Sequence, residues 1–226
     1  MRMWYHSGVR TMVFWLLVAA GVTGCGTSDH PAASSSPAVA AGAPGPVDPA
    51  GVARARSGLP AGYEVGALAE QAAPVTFWGF KPGWAATPEH CGALVDPGAG
   101  TPVRGWSASG PGGIIYAVVA GPGAQTAPPD GCAAWSLAGG HTDAAVTSVP
   151  APGIAGTPTV AMSAVATTTV EGGTQTRMHA DTVTAYLRDA YVASVTVVTD
   201  PGSVQQGLPP NIAPSLLAQV VSAVAG

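Results

Sequence analysis

The stretch TVAMSAVATTTVEGGTQTRMHADTVTAYL, residues 159–187, decides the fold that this sequence predicts. Apolar and polar side chains alternate on both sides of Glu171-Gly172-Gly173, a pattern that is typical of half-buried β-strands. Both glycines tolerate positive φ, so a tight hairpin turn is predicted between the two strands. A third alternating run, AYVASVTVVTD at 190–200, follows closely and ends at the turn residues Asp200-Pro201-Gly202.

Another hairpin is predicted upstream. The runs VRGWSAS (103–109) and GIIYAVVAG (113–121) flank the turn-rich residues 110–113. The three runs within residues 159–200 are expected to form an antiparallel meander.

Two helices are predicted to cover this sheet. In the C-terminal segment PPNIAPSLLAQVVSAVAG (209–226), apolar residues fall four apart on one stripe, formed by Ile212, Leu216, Val220 and Val224. Such a stripe is typical of an amphipathic helix that packs on a sheet face. A shorter helix is predicted at PAGVARARSG (49–58). The sequence therefore indicates the α+β class, with an antiparallel sheet of five or more strands and a few packed helices.

The N-terminus has the features of an export signal. Arg2 and Arg10 precede an uncharged apolar run from Met12 to Val22. At ~1.5 Å per residue this run makes a helix of only ~17 Å, whereas the hydrocarbon core of a bilayer is roughly 30 Å thick. The proportions are those of a secretory signal, so residues 1–24 are predicted to be a signal peptide.

The residues that end this signal carry a more specific pattern. Val22-Thr23-Gly24-Cys25 resembles the bacterial lipobox, an aliphatic residue and two small residues before a cysteine. The resemblance implies that Cys25 receives a diacylglyceryl thioether and becomes the acylated N-terminus. The protein is then anchored in the lipid bilayer, on the extracytoplasmic face of the bacterial cell membrane, after secretory export. The alternative is an ordinary signal peptide followed by an incidental cysteine.

Residues 25–50 are predicted to form the acylated cysteine and a flexible tether. The segment GTSDHPAASSSPAVAAGAPGPVDPA (26–50) has almost no large apolar side chain, so burial cannot offset the entropy cost of ordering it. Residues 51–226 are enough for a single globular extracytoplasmic domain, and their valine-rich runs indicate a folded core.

The charge balance excludes two classes of partner. The chain has 8 basic and 12 acidic residues, and Lys81 is its single lysine. Without residues 1–24, which contain two of the arginines, the formal net charge changes from −4 to −6. Such a chain lacks the basic patch that nucleic acid or an anionic lipid surface requires. We expect no nucleic-acid partner.

Two cysteines remain when Cys25 is acylated. Outside the cytoplasm, Cys91 and Cys132 are predicted to form a disulfide. Thr87 before Pro88 and Asp130 before Cys132 are helix-start signals, so each cysteine is expected in the first turn of a short helix.

The alternative for these cysteines is a metal site that recruits His90 and His141. No Cys-x-x-Cys or His-x-x-x-His spacing supports such a site. We therefore expect neither a metal nor a cofactor.

Signals for catalysis are weak. In GWSASG, Ser107 lies in a pattern close to the nucleophile elbow, but Ser109 occupies the place of the required second glycine. The segments HTD (141–143) and HAD (179–181) each place a histidine two residues from an aspartate. Such a pair can act as a general base, but it is more commonly a surface ion pair. We expect a protein that is not an enzyme.

Aromatic side chains give the strongest hint of a binding site. The segment FWGFKPGW (77–84) concentrates them around a turn, and Trp106 and Trp135 are candidates to join them in space. Bulky rings beside a turn can line a concave apolar site. The candidate ligand-binding residues are Trp78, Phe80, Trp84 and Trp106. The alternative is that these rings fill the core of a domain rich in alanine and glycine.

Several segments together resemble an uncharacterised group of mycobacterial-type lipoproteins, from about Val52 to the C-terminus. These segments are GLPAGYEV (58–65), FWGFKPGW (77–84), PEHCGALVDP (88–97), GWSASGPGGIIYAVVAG (105–121) and YLRDAYVASVTVVTDPG (186–202). More distantly, the paired cysteines and the following strands are similar to the extracellular sensor domain of PknH-type serine/threonine kinases. That resemblance implies an α+β unit with a cleft for an unknown ligand. The sensor domain has two disulfides, whereas this chain has cysteines for one.

The sequence thus predicts a membrane-anchored lipoprotein whose domain binds an apolar or amphipathic envelope ligand, such as a lipid or glycolipid, or acts as an accessory sensor. One alternative is a protein–protein interaction module that supports another cell-envelope protein. A less favoured alternative is a hydrolase that uses one of the His–Asp pairs.

Overall fold

In the computed structural model, which describes residues 45–68, 72–199 and 207–226, nine strands form one antiparallel sheet. In chain order they are β1 (Glu64–Gly66), β2 (Ala85–Thr87), β3 (Val103–Gly110), β4 (Gly113–Ala120), β5 (Ala134–Gly139), β6 (Thr142–Val149), β7 (Thr159–Thr169), β8 (Gln175–Leu187) and β9 (Tyr191–Thr199). Across the sheet their order is β1-β3-β4-β9-β8-β7-β6-β5-β2. The predicted α+β class is confirmed.

The meander predicted from residues 159–200 is confirmed as β7, β8 and β9. The first hairpin turns at Gly172 and Gly173, whose φ angles are +85° and +81°. The upstream hairpin of β3 and β4 is also confirmed, and β4 pairs with β9 rather than with the next strand in the chain. Residues Ile115 and Val119 on β4 and Val195 on β9 are all completely buried. These two strands lie side by side inside the sheet because both have apolar side chains to bury.

The expected helix around Cys132 is wrong. Residues 134–139 form β5 instead, because Trp135 and Leu137 are buried while Ser136 and Ala138 between them are exposed. That alternation has the period of a strand. Cys91 does lie in the first turn of a 3₁₀ helix (Glu89–Leu94), which Pro88 precedes, and no side chain caps this helix.

The two helices predicted to cover the sheet are confirmed. One is a 3₁₀ helix (Pro49–Gly58). The other is the α-helix α2 (Ile212–Val224), which follows the short α-helix α1 (Pro74–Phe77) in the chain. The residues of α2 that are buried include Leu216, Leu217, Val220 and Val224. The two helices contact each other, and α2 packs on β8 and β9 while the 3₁₀ helix packs on β3 and β4.

The folded unit starts earlier than the expected boundary at residue 51. Val47 is buried, and the Asp48 carboxylate accepts a hydrogen bond from the Ala50 N–H at 3.0 Å. The Gly45 N–H donates to the Gly226 carbonyl at 3.0 Å. Residues 45–50 therefore belong to the domain rather than to the tether. The predicted signal peptide, Cys25 and the rest of the tether lie outside the described residues.

The sheet has two large apolar cores, one on each face, and a third small cluster of buried residues formed by Ala120, Ala124, Tyr186 and Val192. The core of the helix face, under α2 and the 3₁₀ helix, includes Val183 and Ala185 of β8. The core of the opposite face, which we call the segment face, includes Ala180 of β8 and is covered by residues 72–101. Alternate residues of one strand thus serve different cores, as the period of two requires. None of the described helices has both the length and the apolar character needed to cross a bilayer.

Candidate functional site

Residues 72–101, the covering segment, lie over the segment face, except that β2 extends the sheet at its edge beside β5. The segment contains the short helix α1 (Pro74–Phe77), strand β2 and the 3₁₀ helix that holds Cys91. The predicted disulfide between Cys91 and Cys132 is confirmed, and it joins the covering segment to the start of β5. Both half-cystines are buried. The covering segment is therefore fixed to the sheet covalently as well as by packing.

The disulfide also bears on the metal alternative. The ring nitrogen Nε2 of His90 lies 3.6 Å from Cys91 Sγ and 3.2 Å from the Asp130 carbonyl oxygen. Both thiols of this cluster are consumed by the S–S bond, so they offer no thiolate ligand. His141 lies at the tip of the β5–β6 hairpin, where it lines a different cavity.

A cavity of about 430 Å³, the sheet cavity, lies between the covering segment and the sheet. Its floor consists of buried side chains from β4 and β9, namely Val118, Ala120, Val192 and Ser194. Pro74, Val75 and Phe80 of the covering segment form part of its wall. The volume and the mainly apolar lining fall within the range of small-molecule binding sites.

Four hydroxyl groups interrupt the apolar surface of the segment face next to this cavity. Thr182 pairs with Thr196 and Thr184 pairs with Ser194, both with oxygen–oxygen distances of 2.9 Å. All four residues are at most 2% exposed. Only Ser194 of these lines the sheet cavity. When its hydroxyl accepts the Thr184 hydrogen, its own hydrogen is free to be donated to a ligand.

Asp96 supplies a carboxylate to the same cavity. Burial raises the pKa of the Asp96 carboxyl above its ordinary value of 3.8, and none of the described groups shifts that pKa back down. Asp96 is half-buried, and a partly buried carboxylate with no compensating charge among the described residues is typical of binding sites.

Two of the four predicted aromatic residues line the sheet cavity, and two do not. Phe80 is buried and Trp84 is half-buried, and both contribute to the wall. Trp78 is fully buried in the core of the segment face, where Trp135 joins it as expected. Both indole nitrogens, Nε1 of Trp78 and of Trp135, lack a hydrogen-bond partner in the described part of the chain.

The expectation that Trp106 joins this cluster is wrong. Trp106 points into the core of the helix face, and its Nε1–H donates to the Val52 carbonyl at 2.9 Å. Its position on β3 decides this, because even-numbered residues of β3 and odd-numbered residues of β4 face the same core. For Trp78 and Trp106 the alternative reading, as core residues, fits their complete burial.

A second cavity of about 540 Å³ lies beside the first, and we call it the acidic cavity. Its charged lining residues are Glu89 and Asp96. Trp84 and Asp96 line both cavities and so mark the place where they meet. Trp84 lies close to the backbone here: a Cβ atom on Gly92 would be only 3.0 Å from Cζ3 of the indole ring.

A third cavity of about 620 Å³ lies at the tips of two hairpins. Lys81, His141 and Glu171 line it together with exposed turn residues. The buried Thr142 hydroxyl, which lies 2.9 Å from that of Thr168, belongs to its wall. This hollow has no apolar floor of buried sheet residues, so the sheet cavity is the stronger candidate for an apolar ligand.

The residues considered for catalysis are not assembled into a site within the described regions. The HAD segment lies on β8 with His179 and Asp181 exposed, as a shared strand face predicts. The ion pairs found among the described residues are Arg54–Asp48 and Arg188–Asp189, and neither His–Asp pair is one of them. Ser107 lies inside β3 rather than at a strand-to-helix turn.

Sequence reasoning missed Asp96 and Ser194. Asp96 follows the 3₁₀ helix in a loop, where an aspartate is ordinary. For Ser194 a signal existed: the segments TVT (182–184) and SVT (194–196) place hydroxyls at alternate positions of strands that are otherwise apolar. Such alternation puts all four hydroxyls on one face.

Comparisons with known proteins agree with the fold. A solved X-ray structure of an uncharacterised protein from Mycobacterium smegmatis, the Rv0999 ortholog, is similar with a TM-score of 0.54 and 20% sequence identity. The alignment covers 79% of this chain and 97% of that chain. Among curated proteins no match was found. The family model described as "Domain of unknown function (DUF5642)" matches residues 48–225, so the chain belongs to this family of unknown function, as the resemblance to an uncharacterised mycobacterial-type family implied.

Proposed function

We propose that this protein is a non-enzymatic binding protein that holds an apolar or amphipathic molecule in the sheet cavity. In this proposal acylated Cys25 anchors it at the extracytoplasmic face of the cell membrane, where envelope lipids and glycolipids are at hand. The observation that carries the proposal is the floor of the cavity. Three buried apolar side chains, Val118, Ala120 and Val192, meet a single hydroxyl, that of Ser194, on the paired strands β4 and β9.

The mainly apolar lining of the sheet cavity favours recognition of a ligand by its shape over recognition by charged or reactive groups. Apolar walls supply the affinity for a ligand, and a few placed polar groups fix its orientation. The covering segment is tied to β5 by the disulfide, so the cavity is preformed and a ligand need not order its walls.

The role of an accessory sensor belongs to the same proposal. The resemblance to the sensor domain of PknH-type kinases implies a cleft that takes an unknown ligand, and the sheet cavity is the site where we place that ligand. In such a role, occupation of the cavity is the signal, and a partner protein in the envelope reads it.

Photoaffinity labelling tests the binding site. The full mature lipoprotein is irradiated with a decanol that carries a diazirine, and the labelled peptides are identified by mass spectrometry. We expect saturable labelling of peptides from residues 72–84 and 96–103, which line the sheet cavity. Native mass spectrometry of the same preparation is expected to detect a copurified lipid.

A pair of matched variants controls this experiment. Val103→Phe places a ring at the wall of the cavity, whereas Val65→Phe makes the same change on β1 at a residue that is 44% exposed and absent from the lining of the cavity. We expect Val103→Phe to reduce labelling at least tenfold and Val65→Phe to leave it unchanged. Equal labelling of both variants, each with the wild-type circular dichroism spectrum, would overturn the proposal in favour of a protein–protein interaction module.

The anchor is tested separately. We expect Cys25→Ala to abolish metabolic labelling with palmitate, because the acyl chains have no other attachment point in this proposal. A Cys25→Ala protein that still carries covalently bound palmitate after denaturation would contradict the anchor and leave the cavity proposal standing.

A further inference from the structure

The sheet cavity and the acidic cavity meet at an aromatic ring and a carboxylate. Trp84 and Asp96 are the residues that line both. On one side of this junction lies the apolar floor of β4 and β9. On the other side, the charged residues that line the acidic cavity are Glu89 and Asp96.

From this junction we infer that the ligand is an amphipathic cation, with its apolar body in the sheet cavity and an ammonium group between Asp96, Glu89 and the ring of Trp84. The inference rests on the proposed function and specifies its ligand class.

The chemistry of the junction selects for positive charge. An ammonium group is attracted both by carboxylates and by the face of an indole ring. An anionic headgroup at the same place would meet two carboxylates and would be repelled. A neutral ligand would leave the partly buried Asp96 carboxylate without a charged partner.

Lys81 does not compensate for these carboxylates. It lines the sheet cavity and the cavity at the hairpin tips, but it is absent from the lining of the acidic cavity. Its side chain is exposed, so its ammonium group remains hydrated and exerts only a screened influence. The acidic character of the junction therefore persists with Lys81 in place.

The partial burial of Asp96 and Trp84 also supports a site for an ammonium group at this junction. Desolvation raises the pKa of the Asp96 carboxyl, and no described neighbour offsets this effect. The ring of Trp84 packs at Gly92, on the 3₁₀ helix that is tied down through Cys91, so the ring is held in place before any ligand arrives.

Three photoactivatable probes with the same decyl chain test the inference, namely a trimethylammonium, an alcohol and a sulfate. Half-maximal labelling of the full mature lipoprotein is measured for each. We expect the trimethylammonium probe to label the cavity peptides at a concentration at least tenfold lower than the alcohol, and the sulfate to be the weakest. Equal concentrations for the three probes would overturn the cation and leave an apolar site, whereas absence of labelling by all three would overturn the proposed function itself.

Substitutions at Asp96 and Trp84 test whether the preference for the cationic probe arises at the junction of the two cavities. We expect Asp96→Asn to remove most of the tenfold preference for the cation, so that the trimethylammonium and alcohol probes label this variant at similar concentrations. Asp143→Asn changes the net charge equally at an exposed residue outside the cavity lining, so it should have no effect. We expect Trp84→Leu to weaken labelling by the cation more than Trp84→Phe, which keeps an aromatic face. A preference that survives Asp96→Asn would refute the assignment.

A competition experiment identifies the source of the cation. Vesicles that contain phosphatidylethanolamine compete with the trimethylammonium probe if the ligand is a lipid headgroup, and phosphatidylglycerol vesicles serve as the control. The headgroup of phosphatidylethanolamine is zwitterionic and presents an ammonium group, so selective competition by it supports a lipid ammonium group as the ligand. Lack of competition supports a free alkylamine. Stronger competition by phosphatidylglycerol would contradict a site for cations.

Discussion

The ring of Phe77 stacks on the ring of Tyr116, with centroids 3.9 Å apart and ring planes 5° from parallel. Phe77 ends α1 in the covering segment, and Tyr116 lies on β4 two residues from Val118 in the floor of the sheet cavity. Burial also raises the pKa of the Tyr116 hydroxyl. The stack therefore fastens the covering segment to the sheet beside the candidate site.

This stack predicts a measurable coupling. In a double-mutant cycle of Phe77→Leu and Tyr116→Leu, we expect an interaction energy of about 0.5–1.5 kcal/mol, since paired rings contribute that much beyond their buried area. The free energies of unfolding are measured in urea. Strictly additive effects of the two substitutions would show that the rings do not stabilise each other.

The disulfide should contribute strongly to stability. Cys91 and Cys132 are 41 residues apart, and closing a loop of this size stabilises the folded state by about 4 kcal/mol in the chain-entropy model. We expect the double variant Cys91→Ala, Cys132→Ala to have a free energy of unfolding lower by an amount of this order. Unchanged urea unfolding of the double variant would mean that packing alone holds the covering segment.

Tyr186 allows a test of how much a buried hydroxyl without a hydrogen-bond partner costs the stability of the fold. It is 3% exposed, its hydroxyl has no hydrogen-bond partner in the described part of the chain, and burial raises its pKa to about 12. We expect Tyr186→Phe to be neutral or to raise the free energy of unfolding by about 1 kcal/mol, because a buried hydroxyl without a partner is costly.

The control is Tyr63→Phe. The Tyr63 hydroxyl donates to the Pro111 carbonyl at 2.8 Å, so the same deletion removes a hydrogen bond there. We expect a loss of about 0.5–1.5 kcal/mol in thermal or urea unfolding. A larger loss for Tyr186→Phe than for Tyr63→Phe would disprove the prediction.

The raised pKa of the Asp96 carboxyl predicts that this residue makes the folded state less stable as the pH rises. Its pKa is raised by burial in the folded state, so the folded chain binds this proton more tightly than the unfolded chain. Stability then falls as pH rises from the ordinary value of 3.8 through the raised value, and the loss is complete above it.

We therefore expect Asp96→Asn to have a higher melting temperature than the wild type at neutral pH. The difference should shrink as pH is lowered towards 3.8, where the wild-type carboxyl is increasingly protonated. Differential scanning calorimetry at several pH values measures it. Stabilisation together with weaker binding of the cationic probe is the signature of a residue kept for binding at the expense of stability. An Asp96→Asn protein that is less stable at neutral pH would contradict the desolvation of this carboxylate.

The local elements of the fold followed from the sequence because each is specified by residues close together in the chain. The period of two in residues 159–199 and the paired glycines at 172–173 determined β7, β8 and β9. The apolar stripe from Ile212 to Val224 determined α2. The disulfide also followed from simple counting, since two cysteines were left to pair.

Tertiary structure decided what depends on residues far apart. The pairing of β4 with β9, which builds the floor of the sheet cavity, joins strands about eighty residues apart, and no turn signal records it. Strand register decides which face of the sheet Trp106 occupies. The packing of the covering segment on the sheet decides that Asp96 and Trp84 line the same cavities. Composition and periodicity specify which side chains must be buried, but the shape of a cavity depends on which of them become neighbours.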